Sequence, residues 1–219
     1  MEVTGGFVIT CGNSPKMFEF KKEVSDEGCL VFVNKHIKLL CRDAKFCDEM
    51  EHGLISRGVV VSANAVCTLL VDEPWGWIQA QLCDIDACDT IILTNNPCPE
   101  YKLDLLAHQP AALFAHMSLV EVVEGLEFVW QRQYLEPKIH SPLTPTERLT
   151  LHLLAKGYTP KKIASVRNIS EGRVKNTLST IYQKLGLGSR AQLALYYFGL
   201  WHVLAAEGWE PLRYVRDLM

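Results

Sequence analysis

Residues 143–185, LTPTERLTLHLLAKGYTPKKIASVRNISEGRVKNTLSTIYQKL, carry the clearest helix signals in this 219-residue chain. Thr144 fits an N-cap, Pro145 fits the first helical position, and Glu147 stands where a capping box places its acid. A second helix is predicted to begin at Thr159-Pro160 and a third at Ser170. The stretch therefore predicts three short helices joined by two sharp turns.

Apolar spacing predicts which face of each helix is buried. Leu149, Leu153 and Leu154 form a helical stripe that ends at Gly157, a favourable C-cap residue. The inward positions predicted for the second and third helices are Ile163, Ala164, Val174, Leu178 and Ile181. A tight helix pair whose last helix carries cations is typical of a helix-turn-helix that enters the DNA major groove. The alternative is a small helical bundle with ordinary solvated charges.

The residues of this stretch resemble the DNA-binding domain of the LuxR/NarL (GerE-type) transcription regulators. The family pattern runs L-T-x-R-E, G-x-S-x-x-x-I-A, I-S-x-x-T-V-K and K-L. It is met by Leu143-Thr144, Glu147, Gly157, Ile163-Ala164, Ile169-Ser170, Val174-Lys175 and Lys184-Leu185. Three residues depart from it: Thr146 replaces an Arg, Arg173 replaces a Thr, and Arg167 falls where the family buries a Leu.

The resemblance implies sequence-specific binding of double-stranded DNA by a homodimer, with residues 170–184 as the recognition helix. Arg173, Lys175 and Asn176 are then expected to reach base edges or neighbouring phosphates. The remaining expected contacts, mainly to the DNA backbone, are Lys161, Lys162, Ser170, Thr177 and Lys184. No catalytic motif is found, so an enzyme is not expected.

Charge separates the two halves of the chain. Residues 143–219 hold 11 Lys and Arg against 5 Asp and Glu, a net of +6, so the first 142 residues carry the remaining 11 and 20, a net of −9. A basic half joined to an acidic half suits a nucleic-acid-binding domain attached to a domain that stays off DNA. Without a secretory signal or a long apolar run, the chain is expected to be cytoplasmic.

Short apolar runs alternate with helical stretches before the linker, which predicts a five-stranded parallel α/β sheet. The predicted strands are 7–10, 30–33, 59–62, 90–94 and 112–115, with a helix expected within 37–50. This flavodoxin-like layout resembles the receiver domain of response regulators. The predicted organisation is therefore a receiver-like domain at 1–131, a linker at 132–142, and an all-α helix-turn-helix domain with a C-terminal extension at 143–219.

A working receiver needs acids after its first and third strands and a Lys after its fifth. With the strands placed as above, these positions hold residues 10–12, residues 62–64 and Ala115. Asp72 and Glu73 then lie about ten residues too late, and Thr94 is expected to be structural. The sequence therefore predicts a pseudo-receiver without a phosphorylation site, used for dimerisation or another input.

All eight cysteines lie in the N-terminal half: Cys11, Cys29, Cys41, Cys47, Cys67, Cys83, Cys88 and Cys98. No C-x-x-C pair occurs, and no metal or other cofactor is predicted. A thiol- or metal-responsive regulator remains an alternative hypothesis. A second alternative is a module that sequesters a protein partner through the acidic N-terminal domain. The apolar residues of the extension, among them Trp201 and Trp209, are expected either to complete the core of their own domain or cover the receiver-like domain, or to form a subunit interface.

Overall fold

The computed structural model describes residues 35–82, 89–115, 118–130 and 139–210. The strands predicted at 7–10 and 30–33 lie outside these ranges. The described residues divide into two compact units. The first contains residues 35–82, 89–95, 108–115 and 118–130, and the second contains residues 96–107 and 139–210. Within the described ranges, no helix has both the length and the apolar character needed to cross a membrane.

The first unit is built around a parallel sheet. Its strands are β1 (His36–Cys41), β2 (Val60–Val61), β3 (Thr68–Val71), β4 (Thr90–Thr94) and β5 (Ala112–Ala115), in the order β2-β1-β3-β4-β5. The helices of this unit are α1 (Ala44–Ile55), α2 (Ile78–Gln81) and α4 (Leu119–Trp130). The five-stranded parallel α/β fold predicted from the sequence is confirmed.

The predicted strand numbering, however, is wrong. The run at 59–62 forms β2, and the third described strand is β3, eight residues further along the chain from β2. Residues 36–41 form β1, inside a range expected to contain a helix that in fact begins only at Ala44. HIKLLC and TLLV are short apolar runs, and periodicity alone does not separate such runs in a buried strand from a helix segment.

The core of the first unit lies between the sheet and helices α1 and α4. Ile37, Leu69, Ile91 and Phe114 from four strands are all fully buried there. A glycine allows the two helices to approach closely, because a Cβ at Gly53 would lie 2.2 Å from the side chain of Leu119.

The second unit is helical. It contains α3 (Pro99–Leu106), α5 (Pro145–Ala155), α6 (Pro160–Arg167), α7 (Glu171–Leu185), α8 (Arg190–Tyr197) and α9 (Trp201–Ala206). Helix α3 packs in this unit although its residues lie within the predicted range 1–131 of the receiver-like domain. Polar side chains join it to the helices that follow the linker.

Glu100 on α3 is a fully buried carboxylate. It accepts hydrogen bonds from the hydroxyl of Tyr196 at 2.9 Å, from Ser141 and from the thiol of Cys98 at 3.3 Å. A buried charge is tolerated only when such donors replace its lost hydration. The partners of Glu100 therefore fix the first turn of α3 against α8.

One turn later on α3, Asp104 joins a second tyrosine. Its Oδ2 accepts from the hydroxyl of Tyr197 at 2.7 Å and lies 2.8 Å from Nδ1 of His152 on α5. The ring of Tyr101 packs edge-on against Tyr197, with centroids 5.3 Å apart. Two consecutive tyrosines of α8 thus each bind one carboxylate of α3.

The C-terminal extension contributes to the core of its own unit. Trp201 stacks on Tyr196 with centroids 5.4 Å apart, and Trp209 Nε1 donates to the carbonyl of Leu185 at 3.0 Å. Both tryptophans are buried, which agrees with the first of the two alternatives for this segment. The buried stripe predicted for α5 needs one correction, because Leu149 is 46% exposed and Leu151 is buried instead.

A carboxylate follows β3 directly. Asp72 is only 2% exposed, and its Oδ2 accepts from the hydroxyl of Thr94, at the end of the adjacent strand β4, at 2.9 Å. Its Oδ1 accepts from the backbone N–H of Gly76 at 3.0 Å. The prediction that Asp72 lies ten residues too late is wrong, because it rested on the run at 59–62 being the third strand. Thr94 and Asp72 tie together the ends of two central strands.

We expect Asp72→Ala to lower the free energy of unfolding by about 1.5–3 kcal/mol, because hydrogen bonds to a buried charged group are lost. Thr94→Val should lose one of the same bonds and cost less, and the double variant should be less than additive. Urea unfolding at neutral pH measures all three. The control is Glu73→Gln, which alters the neighbouring carboxylate, and equal losses for Asp72→Ala and this control would contradict the assignment.

Candidate nucleic-acid interface

Helices α6 and α7 are joined by a tight turn with defined caps. Thr159 caps α6 by accepting from Lys162 N at 3.2 Å, and α6 ends at Asn168 in the left-handed conformation, with φ 51°. Asn tolerates this conformation better than most residues. Ser170 then caps α7 by accepting from Arg173 N at 3.2 Å. The local sequence therefore fixes the angle at which α7 leaves the turn.

Helix α7 is clearly amphipathic. Its buried residues are Val174, Leu178, Ile181 and Leu185. Its exposed residues include Arg173, Lys175, Asn176, Ser179 and Gln183. The buried stripe holds the helix against its own unit, and the opposite face presents cationic and amide side chains, the types that recognise phosphates and base edges.

The predicted contact residues cluster near the start of α6 and α7. Lys161 and Lys162 are exposed in the first turn of α6. Lys175 lies one turn along α7 and forms an ion pair with Glu171, with Nζ 2.8 Å from Oε1. The hydroxyl of Thr177 donates to the carbonyl of Arg173 at 2.9 Å, and Thr177 is half-buried.

Lys184 is held inside the unit instead. Its Nζ lies 2.7 and 3.0 Å from the two carboxylate oxygens of Glu147 and 3.3 Å from the carbonyl of Pro142. Glu147 also closes the capping box of α5, because its Oε2 accepts from Thr144 N at 2.7 Å. One buried carboxylate thus joins the start of α5 to the end of α7. Lys184 therefore has a structural partner within the helical unit, and its expected contact with the DNA backbone stays a prediction.

The environment of Glu147 changes the pKa of its carboxyl group. Burial by itself raises the pKa of this carboxyl, but the hydrogen bonds and charge of Lys184 and the bonds from Thr144 outweigh it, so the pKa is lowered overall. Because its folded-state pKa lies below that of the unfolded chain, Glu147 stabilises the fold above the unfolded pKa. This stabilisation is lost as the pH falls through the folded-state pKa.

Arg167, which stands where the related pattern has a Leu, has a polar partner inside the helical unit. Its guanidinium donates to the hydroxyl of Thr150, which is fully buried on α5 and itself donates to the carbonyl of Thr146 at 2.9 Å. The side chain turns inward with a polar partner, where the related pattern has a Leu. Nothing in the spacing of the sequence singled out Thr150 as that partner.

Four cysteines are described, and all are free thiols: Cys41, Cys47, Cys67 and Cys98. Burial raises the pKa of each of these thiols. For Cys67 the pKa rises to about 11, because the negative charge of Asp89 adds to the effect of burial. A raised pKa lowers the thiolate fraction, which is the reactive and metal-binding form. Among the described residues, no three His, Cys, Asp or Glu side chains converge as they would around a metal ion.

Sequence reasoning missed two features of this surface. It named Lys175 but not the ion pair with Glu171, although their spacing of four residues on a helix is a known signal for such pairs. It also named Lys184 as an expected backbone contact without identifying Glu147 as its partner. The pairing of Lys184 with Glu147 spans 37 residues, and only the fold brings them together.

We expect Lys184→Met to lower the free energy of unfolding by about 1.5–3 kcal/mol at neutral pH, because Glu147 keeps its charge but loses its cation. The stability difference from wild type should be constant above about pH 5 and shrink as the pH falls through the lowered pKa of Glu147. Denaturant unfolding of both proteins at a series of pH values between neutral and acidic measures this stability difference. Lys156→Met removes an exposed cation as the control, and a pH-independent difference would contradict the role of the pair.

The comparisons with known proteins agree with this geometry. Residues 141–197 match the family described as "Bacterial regulatory proteins, luxR family". A probable HTH-type transcriptional regulator, GfsR of Streptomyces halstedii, is 42% identical over 57 residues, which cover 26% of this chain and 24% of that protein. The chain thus aligns with about a quarter of the length of this curated relative.

Solved structures show some likeness to this chain at low sequence identity. A structure of two RcsB dimers bound to two parallel DNAs has 15% sequence identity and a TM-score of 0.47, covering 75% of this chain and 98% of that one. Full-length FixJ from B. japonicum has 15% identity and a TM-score of 0.37, covering 75% and 97%. The capped helix pair α6–α7 lies within residues 141–197, the part of the chain that is similar to the luxR family of bacterial regulatory proteins.

Proposed function

We propose that this protein is a sequence-specific transcription regulator that binds double-stranded DNA as a homodimer without needing phosphorylation. The observation that carries the proposal is the exposed face of α7, where Arg173, Lys175 and Asn176 lie opposite the buried stripe. Residues 143–219 would bind DNA, residues 1–131 would act as a pseudo-receiver, and residues 132–142 would link them.

The proposed DNA contacts fall into two groups, those to base edges and those to the phosphate backbone. Arg173 and Asn176 have the side chains that form paired hydrogen bonds with guanine and adenine edges in the major groove, and Lys175 lies between them in sequence. Phosphate contacts are assigned to Lys161 and Lys162, which are exposed on the first turn of α6. Thr177 and the N-cap Ser170 would support the neighbouring backbone contacts, while their hydroxyls also bond within α7.

Two-fold symmetry of the proposed dimer predicts the form of the binding site. Two copies of α7 in successive major grooves on one face of the duplex require half-sites about 10 base pairs apart. Sites selected from a randomised duplex library should therefore be inverted repeats with that spacing. Selection of single, unrepeated sites would contradict the dimer.

We expect Arg173→Ala to weaken binding to a selected site by about 1–3 kcal/mol and to relax base preference at one position of each half-site. Lys161→Ala should instead weaken binding to all sequences alike. It should also reduce the dependence of log K on log salt by about 0.9 for each phosphate that is no longer neutralised, or twice that for a dimer. Fluorescence anisotropy titrations at several salt concentrations measure both effects.

The control for these titrations is Lys45→Ala, which removes one exposed cation from α1 in the N-terminal unit. It should leave both affinity and base preference nearly unchanged. An Arg173→Ala protein that selects the same sites as wild type with equal affinity would exclude Arg173 as a base contact.

Phosphorylation independence is supported by the burial of Asp72, although acids do follow the first and third described strands, Asp43 after β1 and Asp72 after β3. Both carboxylate oxygens of Asp72 already accept hydrogen bonds, and the side chain is 2% exposed. Ala115 ends β5 near the position where working receivers carry a Lys, so no ammonium from that residue could neutralise a phosphoryl group. An aspartyl phosphate at Asp72 would have to displace both present bonds.

We expect acetyl phosphate to leave DNA binding by the full-length protein unchanged at two salt concentrations, because Asp72 is not accessible to the donor. Intact-protein mass spectrometry should detect no added phosphoryl group. Asp72→Asn serves as the matched control, since it keeps the shape of the side chain and removes the nucleophile. A phosphoryl adduct or a gain in affinity that Asp72→Asn abolishes would contradict this part of the proposal.

A further inference from the structure

A carboxylate stands among the cations at the start of α7. Glu171 is the first residue of the helix, and its Oε1 lies 2.8 Å from Nζ of Lys175. The side chain of Glu171 is 44% exposed and that of Lys175 is 65% exposed. The charge of Lys161 at the start of α6 also acts on Glu171. The first turn of α7 therefore places an acid next to cations that are expected to contact DNA.

A contribution to fold stability does not explain well why an acid occurs at position 171. An exposed ion pair of this spacing contributes little to the stability of a helix, and an acid at a helix N-terminus adds a similarly small amount. The pKa of Glu171 is lowered by the hydrogen bond and charge of Lys175 and then by the charge of Lys161, so the carboxylate remains ionised at neutral pH. A fixed negative charge at this corner is repelled by any phosphate that approaches it.

Lys175 therefore has competing acceptors when DNA approaches. A phosphate must take the ammonium from Glu171 and bear the repulsion of the carboxylate left behind. At a matching site, the acceptors of a guanine edge compete for the same ammonium, and Arg173 and Asn176 can bind at the same time. Non-specific binding depends almost wholly on phosphates, so the acid weakens it more than it weakens specific binding.

We propose that Glu171 is a specificity-determining residue, which restrains Lys175 and so weakens binding to non-matching DNA more than to the target site. This inference rests on the proposed DNA-binding function. The inference gives Glu171 a role in selectivity that is separate from the direct DNA contacts proposed for the other residues.

The test compares full-length wild type, Glu171→Gln and Glu171→Ala on two duplexes of equal length, one selected and one of random sequence. Both substitutions should tighten binding to the random duplex by about three- to tenfold at low salt and steepen its salt dependence by about one phosphate contact per subunit. Binding to the selected duplex should change by less than about twofold. The ratio of the two affinities should therefore fall.

Glu207→Gln is the charge-matched control, because it also removes one exposed acid from the helical unit, at the end of α9. Combining Glu171→Gln with Lys175→Ala should abolish the gain on random DNA if Lys175 is the restrained group. Thermal unfolding of each variant checks that the fold is intact.

The results of this test distinguish a failure of the inference about Glu171 from a failure of the proposed DNA-binding function. A change no larger than that of Glu207→Gln, or an equal gain on both duplexes, would overturn the inference. A loss confined to the selected duplex would also overturn it, because Glu171 would then contact a base directly. If wild type shows no salt-dependent binding to either duplex, the proposed DNA-binding function itself fails.

Discussion

The helical unit depends on one buried carboxylate, that of Glu147. It completes the cap of α5, accepts the ammonium of Lys184 at 2.7 Å, and so connects the first helix of the domain to the last turn of α7. A charged hydrogen bond has a definite geometry, so this pair fixes the last turn of α7 relative to the start of α5. The position of the exposed face of α7 is therefore set by an interaction at the opposite end of the helix.

Helix α3 adds a second set of fixed polar contacts. Glu100 and Asp104 lie one turn apart on α3, and Tyr196 and Tyr197 are adjacent on α8, so each carboxylate binds one phenol. Residues four apart on a helix lie on the same face, so the two phenols contact one face of α3 about one turn apart. Such contacts specify one orientation of α3 more strictly than apolar packing would. His152 brings α5 into the same network.

Much of the fold and part of the candidate site follow from local sequence patterns. The caps Thr144, Thr159 and Ser170 and the buried stripe of α7 were predicted because each depends on residues within one or two turns. The strand numbering failed because β1 and β3 are short runs without a distinctive period. The partners of Lys184, Arg167 and Asp72 escaped prediction because they are distant in sequence, and charge alone does not tell whether a side chain binds a ligand or another residue.

Within the described residues, the chain passes between the two compact units three times, because α3 belongs to the helical unit while the segments on either side of it do not. A recombination event at residues 132–142 would therefore transfer only part of that unit. The incoming domain would have to supply phenols that match Glu100 and Asp104, or leave Glu100 buried without its tyrosine partner. Exchange of residues 139–210 for those of another protein is thus restricted by chemistry, and residues of α3 and α8 are expected to change together during evolution.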